Sequence, residues 1–279
     1  MTTMTETRVA APGGIDLAVS ISGDGPPLLL IPGLGATRVV FDPIVPLLAP
    51  HHRVVVYDQR GIGASQLTPG PYTTEQLADD AAAVLDGLGI ERAAVVLGAS
   101  FGGMVAEQVA IRHPQRLGAL LLAATGPGHA HLVQEPDPSA TDALLGKGAR
   151  TPADAYRLAC TVLYSRRFQE DHADFIDAQV RDRAARPIAA RAFQAQLAAS
   201  RSHDVWQELP SIMAPTLVLH GSDDAVMPLA NARALCERIP DARLEVFDGA
   251  GHLFFHEEPE RTAAAVVSFT AGHAAAARD

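Results

Sequence analysis

The sequence predicts an α/β fold: a mostly parallel, eight-stranded sheet flanked by helices, with a block of helices inserted after the sixth strand. Three observations carry this expectation. Short aliphatic and β-branched runs recur without polar alternation, which marks strands buried on both faces. Amphipathic helical patterns separate them, as parallel connections require. The alternation then breaks between residues 126 and 209, where no strong strand pattern occurs, and resumes at Thr216.

Taken in order, segments 7–10 and 15–22 flank Pro12-Gly13-Gly14 and predict an antiparallel hairpin at the leading edge of the sheet. Buried strands follow at 28–31, 53–57, 93–97, 119–123, 216–220 and 244–247. The best-marked helix spans 74–88, with Leu77, Ala81, Val84, Leu85 and Leu88 on one stripe. Thr73 and Gln76 can form its capping box, and Gly89 its end. Segments 103–112, 230–238 and 260–270 fill the other crossovers. Within the interruption, Thr151-Pro152-Ala153-Asp154 offers an N-cap, a proline at the first helical position and a first-turn carboxylate, so a helix is expected over 152–164. Further helices are expected at 171–183 and 187–200. These divide the chain into a core of residues 1–126 and 210–279 and a helical cap of residues 127–209 over one end of the sheet.

Composition narrows the function. No apolar run approaches the roughly 20 residues that cross a bilayer, and the polar segment 1–10 lacks the pattern of a secretory signal. A cytoplasmic location is the expectation. A formal charge of −10 without any Lys/Arg cluster disfavours nucleic acid and anionic membrane as partners. The expected partner is a small-molecule substrate, and a homodimer is compatible with the sequence. Cys160 and Cys236 are too few for a disulfide framework or a Cys-rich zinc site and read as buried thiols.

The chemistry centres on Gly98-Ala99-Ser100-Phe101-Gly102, which follows a strand and opens a helix. A nucleophile on a sharp strand-to-helix turn needs residues without bulk two before and two after it, and Gly98 and Gly102 meet that demand. Ser100 also falls beside a helix N-terminus, where free N–H groups favour developing negative charge. Together with Pro32-Gly33-Leu34-Gly35 after the third strand, the run from Asp58 to Ser65 after the fourth, and two late segments, this elbow resembles the α/β-hydrolase superfamily over nearly the whole chain. The resemblance implies the α/β-hydrolase fold and a serine nucleophile followed in the chain by an acid and a histidine.

A serine hydroxyl needs a base within reach. Of the eleven histidines, His252 in Gly249-Ala250-Gly251-His252-Leu253-Phe254 resembles the family's base, on a glycine-rich turn beyond the last strand. His256 stands beside Glu257, Glu258 and Pro259 and reads as an exposed helix start, while His51, His52, His113, His220 and His273 read as structural or solvated. The base must be held in one tautomer by a carboxylate. The segment from His220 to Pro228 supplies two, Asp223 and Asp224, and the resemblance favours Asp224, with Asp223 as a turn-former. By the same resemblance the backbone amides of Leu34 and Phe101 form the oxyanion hole. Pro32 stands where relatives often carry histidine. Asp58 and Arg60 read as parts of a structural turn.

Leu145, Tyr156, Leu163, Tyr164, Phe168, Phe175 and Trp206 of the insertion, with Leu34, Phe101 and Phe254, imply a mainly apolar pocket. Gly33, Tyr164, Trp206, Leu253 and Phe254 are the substrate-contact candidates, and His129, His131, Arg166 and Arg167 are placed to meet a substrate carboxylate or water. No metal site or cofactor is expected. The resemblance implies hydrolysis of a carboxylic ester or lactone of a small to medium, mainly apolar substrate through an acyl-enzyme. Enol-lactone opening is one alternative; carbon–carbon bond hydrolysis is another, weakened by Leu253, where such enzymes often carry tryptophan. Ser100 itself disfavours the haloalkane and epoxide chemistry that uses aspartate at the elbow. Outside hydrolysis stands a small-ligand binder or a scaffold for cyclisation or rearrangement.

Overall fold

A computed structural model describes residues 4–276. The strands are β1 (Met4–Ala11), β2 (Ile15–Ser22), β3 (Pro27–Ile31), β4 (Arg53–Tyr57), β5 (Ala93–Ala99), β6 (Leu117–Ala123), β7 (Thr216–Gly221) and β8 (Ala242–Phe247). They form one sheet in the order β1-β2-β4-β3-β5-β6-β7-β8. The β1–β2 and β2–β4 pairs are antiparallel and every other pair is parallel. This is the mostly parallel eight-stranded sheet that the apolar runs predict.

The helices are α1 (Val45–Leu48), α2 (Thr74–Gly87), α3 (Phe101–Arg112), α4 (Pro138–Leu144), α5 (Pro152–Leu163), α6 (Arg166–Asp171), α7 (Ala173–Ala185), α8 (Ala190–Ser202), α9 (Leu229–Arg238), α10 (Phe254–Glu257) and α11 (Pro259–Ala276). Thr73 caps α2 by accepting from the Gln76 amide, and Thr151 caps α5 by accepting from Asp154. The short helices α1, α4, α6 and α10 are additions to the sequence expectation, and the helix expected over 171–183 is α7.

Two cores follow from the period-2 alternation of strand side chains. Leu29, Ile31, Val55 and Val96 pack on one face of the sheet with Leu77, Val84 and Leu85 of α2, Val105 and Val109 of α3 and Leu235 of α9. Leu28, Leu30, Val54, Val56 and Leu97 pack on the other with Leu48 of α1, Phe254 and Phe255 of α10 and Val266 of α11. The central strands are therefore sealed on both sides, and each large aliphatic side chain removed from water contributes about 1.5–3 kcal/mol.

Helices α4–α8 all lie between β6 and β7 in the chain. An isolated bridge between Gly128 and Asp204 pins the two ends of this insertion together. Beside it, His203 bonds Glu107 of α3 at 2.9 Å and Thr74 of α2 at 3.0 Å, with all three residues buried. Among the described residues, no helix is long and apolar enough to cross a membrane.

Candidate active site

The carboxyl ends of β3, β5, β7 and β8 point to one edge of the sheet, the edge where open α/β sheets bind ligands. At the end of β5 the chain turns sharply into α3, and Ser100 at the corner has φ 54° and ψ −120°. A positive φ is costly for any residue with a Cβ and persists only where the surroundings enforce it. They do so by close packing: a Cβ on Gly98 would run into the carbonyl oxygen of Gly102, and one on Gly102 into that of Ile31. The glycines flanking the turn are thus required by contact between backbones, as the motif predicts.

The loop after β7 carries Asp224, and the loop after β8 carries His252; both are buried. His252 Nδ1 donates to Asp224 Oδ2 at 2.8 Å, which leaves Nε2 with its lone pair in the neutral ring. The other carboxylate oxygen accepts from the amides of Val226 and Met227, each at 2.8 Å. His220 stands 3.3 Å from Asp224 Oδ2 while its Nε2 donates to the Met227 carbonyl at 2.6 Å. Burial works against the charged carboxylate, but the His252 and His220 rings outweigh it and hold Asp224 well below the usual carboxylate range. Asp223 is exposed and accepts from Ser222 Oγ at 2.9 Å, a local turn contact.

Ser100 and His252 face one cavity of about 260 Å³. Among the described residues no hydrogen bond joins Ser100 Oγ to the imidazole; such bonds are commonly long without substrate and tighten around it. Gly33 packs against the serine, since a Cβ there would sit 3.3 Å from Ser100 Cβ and 3.9 Å from Oγ. The Phe101 amide is the first of α3 and has no acceptor within the helix. The Leu34 amide is likewise absent from the hydrogen bonds of the turns. Where relatives often carry histidine, Pro32 is steadied instead through its carbonyl, which accepts from Gln59 Nε2 at 2.6 Å. The Gly35 amide donates to Gln196 Oε1 at 2.8 Å, and the Gly35 carbonyl accepts from Arg183 Nη1 at 2.7 Å.

The wall of the cavity is mostly apolar and is shared between core and insertion. Gly33, Leu34, Phe101 and Leu253 line it from the core, and Leu145, Tyr156 and Leu163 from the insertion, as expected. Three substrate-contact candidates are corrected, because the structure places them outside that wall. Tyr164 is buried beneath it, stacked on Phe168 with ring centroids 5.4 Å apart. Phe254 packs on Phe247 in the core at 4.4 Å. Trp206 stacks on His131 at 5.2 Å, with the Arg238 guanidinium 4.5 Å from its ring. Phe168 and Phe175 pack with Tyr164 rather than facing the cavity. Arg166 and Arg167 pair on the surface with Glu170 and Asp171. His129 does line the wall.

His256 is the clearest departure. It is buried, lines the cavity, donates from Nε2 to the Val40 carbonyl at 2.7 Å and accepts at Nδ1 from Tyr164 Oη at 3.0 Å. Burial lowers its pKa to about 4, so the ring is neutral near pH 7. Its neighbour Glu257 accepts from Ser165 through both amide and hydroxyl, at 2.7 and 2.6 Å, and from the Gly251 amide at 3.1 Å. Three basic residues of the wall, Arg183, Arg186 and Arg201, escape a sequence reading because lone arginines on a helix look like a solvated face. Burial pushes the Cys160 thiol up to about 12 and Cys236 to about 11, which leaves neither as a thiolate. Asp58 accepts from the Arg38 and Ala64 amides at 2.7 and 2.9 Å, and Arg60 grips Asp80 through two nitrogens, so this segment is a turn scaffold away from the cavity.

Residues 26–259 match the family described as alpha/beta hydrolase fold. The chain belongs to this family. It is 31% identical over 91% of its length to the putative carbamate hydrolase RutD of a Caulobacter species, spanning 94% of that protein. It is 30% identical over 91% of its length to 3-oxoadipate enol-lactonase 2 of Acinetobacter baylyi, spanning 92% of it. Polyketide synthase ThaQ of Burkholderia thailandensis is 31% identical over 95% of the chain, which spans only 13% of that much longer protein. Among solved structures, a hydrolase from Pseudomonas aeruginosa PA01 superposes with a TM-score of 0.82 at 30% identity, covering 95% of this chain and 98% of the other. A thermophilic esterase from Thermogutta terrifontis gives 0.82 at 28% identity, covering 96% and 99%.

Proposed function

We propose that this family member is a serine hydrolase that cleaves a carboxylic ester or lactone of a small to medium, mainly apolar substrate through an acyl-enzyme. The carrying observation is the buried Asp224–His252 pair, which leaves the imidazole's free nitrogen in the same cavity as a serine held at a positive φ. In this reading His252 Nε2 takes the Ser100 proton as Oγ attacks the carbonyl carbon. The Leu34 and Phe101 amides receive the oxyanion, each worth about 3 kcal/mol. The intermediate collapses, and the departing alkoxide leaves with the proton held on His252. A water molecule, deprotonated by the same ring, then attacks the acyl-enzyme and releases the acid with Ser100 restored. Asp224 keeps the ring in its working tautomer throughout. Residues 127–209 serve as a cap on a core of 1–126 and 210–279, completing the apolar wall above Ser100.

The esterase and the enol-lactonase among the relatives support this bond class. A fluorophosphonate probe tests it: wild type is labelled and turns over p-nitrophenyl acetate, and Ser100→Ala loses both. An unlabelled wild-type protein would leave a ligand-binding scaffold as the reading.

A further inference from the structure

The cavity has a charge of the opposite sign to the chain that builds it. With 32 acidic and 22 basic residues the protein is strongly anionic. Yet three arginines and one carboxylate line the cavity, and that carboxylate, Asp182, is engaged by Arg186 one turn away on the α7 side. Arg183 of α7 and Arg201 of α8 form no ion pair among the described residues, and Asp182 reaches Arg183 only as a nearby charge. Arg183 is half-buried, and burial pulls its pKa below the ordinary guanidinium value. Among the described residues its one hydrogen bond goes to the Gly35 carbonyl at 2.7 Å, and its guanidinium carbon lies 5.6 Å from the centre of the Tyr156 ring. A guanidinium carries five donors in a planar fork. One of them is accounted for, and the group faces a cavity that is otherwise chiefly apolar. Desolvating such a cation without a directly paired counter-charge is costly, and a ligand carboxylate gripped by two parallel N–H bonds offsets that cost.

Resting on the hydrolase reading above, we propose that the substrate carries a carboxylate that docks on Arg183, with Arg201, which lines the same cavity, supplying a second positive charge. The spacing fits a short molecule. Arg183 bonds Gly35, two residues along the loop from Gly33, and Gly33 touches Ser100. Two residues of chain span at most roughly 7 Å. The carboxylate and the scissile carbonyl are therefore separated by a short carbon chain. Arg183 also acts on both ends of the problem, because its other contact is the carbonyl of the residue that follows Leu34.

Matched substrates test this. On the acyl side the pair is mono-p-nitrophenyl glutarate and p-nitrophenyl valerate; on the alcohol side it is 4-acetoxybenzoate and phenyl acetate. Wild type is expected to prefer the acid at least 10-fold in kcat/KM in one pair. Arg183→Gln should abolish that preference, Arg183→Lys should restore part of it, and Arg201→Gln should reduce it several-fold. A purely structural role through Gly35 predicts equal losses on acid and neutral esters, and that result overturns the proposal, as does a wild type indifferent to the carboxylate in both pairs. Glutarate binding by calorimetry, present in wild type and absent in Arg183→Gln, gives a readout independent of turnover. A protein that is labelled by fluorophosphonate but neither prefers acids nor binds glutarate retains the hydrolase reading and loses this one. Binding without labelling separates them the other way.

Discussion

Ser100 holds a positive φ that, among the described non-glycine residues, only Ala124 shares. Its backbone strain is sustained by contacts that tolerate no added atom on either side, so the hydroxyl's position is a property of packing before it is a property of chemistry. Gly98→Ala should therefore lower stability by about 1–3 kcal/mol, the usual cost of overpacking, and lower activity further by shifting the elbow. Urea unfolding measured beside ester turnover checks both. The glycines were legible in the sequence because the sterics of the turn dictate them, and Ser100 because it stands between them where the motif places a nucleophile. His256 was not: its charged neighbours Glu257 and Glu258 suggest exposure, whereas the ring is enclosed by Tyr164, Phe175 and Phe255, residues up to 92 positions away. Local composition holds no trace of such an enclosure. Arg183 and Arg201 escaped notice for the same reason, since only the packed helices give their side chains a cavity to face.

Among the elements, the central parallel strands β3 to β7 could be read directly because burial on both faces removes polar alternation, whereas the edge strand β8 is only partly buried. Helix α4 could not, since seven residues beginning at a proline in a Pro-rich stretch offer too little periodicity to register. The turn after β4 is held to α2 by the buried Arg60–Asp80 pair, with the two side chains 5% and 0% exposed. Burial raises the Asp80 pKa against the opposing pull of Arg60. Breaking one side of such a pair leaves a charge stranded and costs about 3–5 kcal/mol, while replacing both with apolar residues of like volume is often close to neutral. Asp80→Asn is accordingly expected to be far more destabilising than a double Arg60→Met, Asp80→Leu replacement. Urea unfolding of both variants beside wild type measures the difference, and equal losses would contradict this account of the pair.

At the scale of the whole molecule, stability should depend on pH through buried groups. The His256 pKa is about 4 in the folded state against about 6.5 when exposed. Between those values the unfolded chain binds the extra proton, so stability rises with pH through that window. The contribution is complete above about pH 6.5 and lost as pH falls towards 4, for a total of up to about 3 kcal/mol. Asp224, depressed in the folded state, adds a further loss at still lower pH. The buried carboxylates Asp80 and Glu107, whose values are raised, act in the opposite sense. Comparing wild type with His256→Gln isolates the histidine, because the other groups are common to both. The variant should show the shallower fall in unfolding free energy from pH 6.5 to 4, and parallel curves would refute the assignment.

The Leu253 amide donates to the Leu163 carbonyl at 2.8 Å, and Glu257 ties Ser165 to Gly251, so the residues on both sides of His252 are stitched to the end of α5. A substitution that breaks these ties, such as Glu257→Ala, is therefore expected to lower turnover through the alignment of His252 with Ser100, as kcat of the variant checks. The position of the base is in this way tied to the insertion as well as to the sheet.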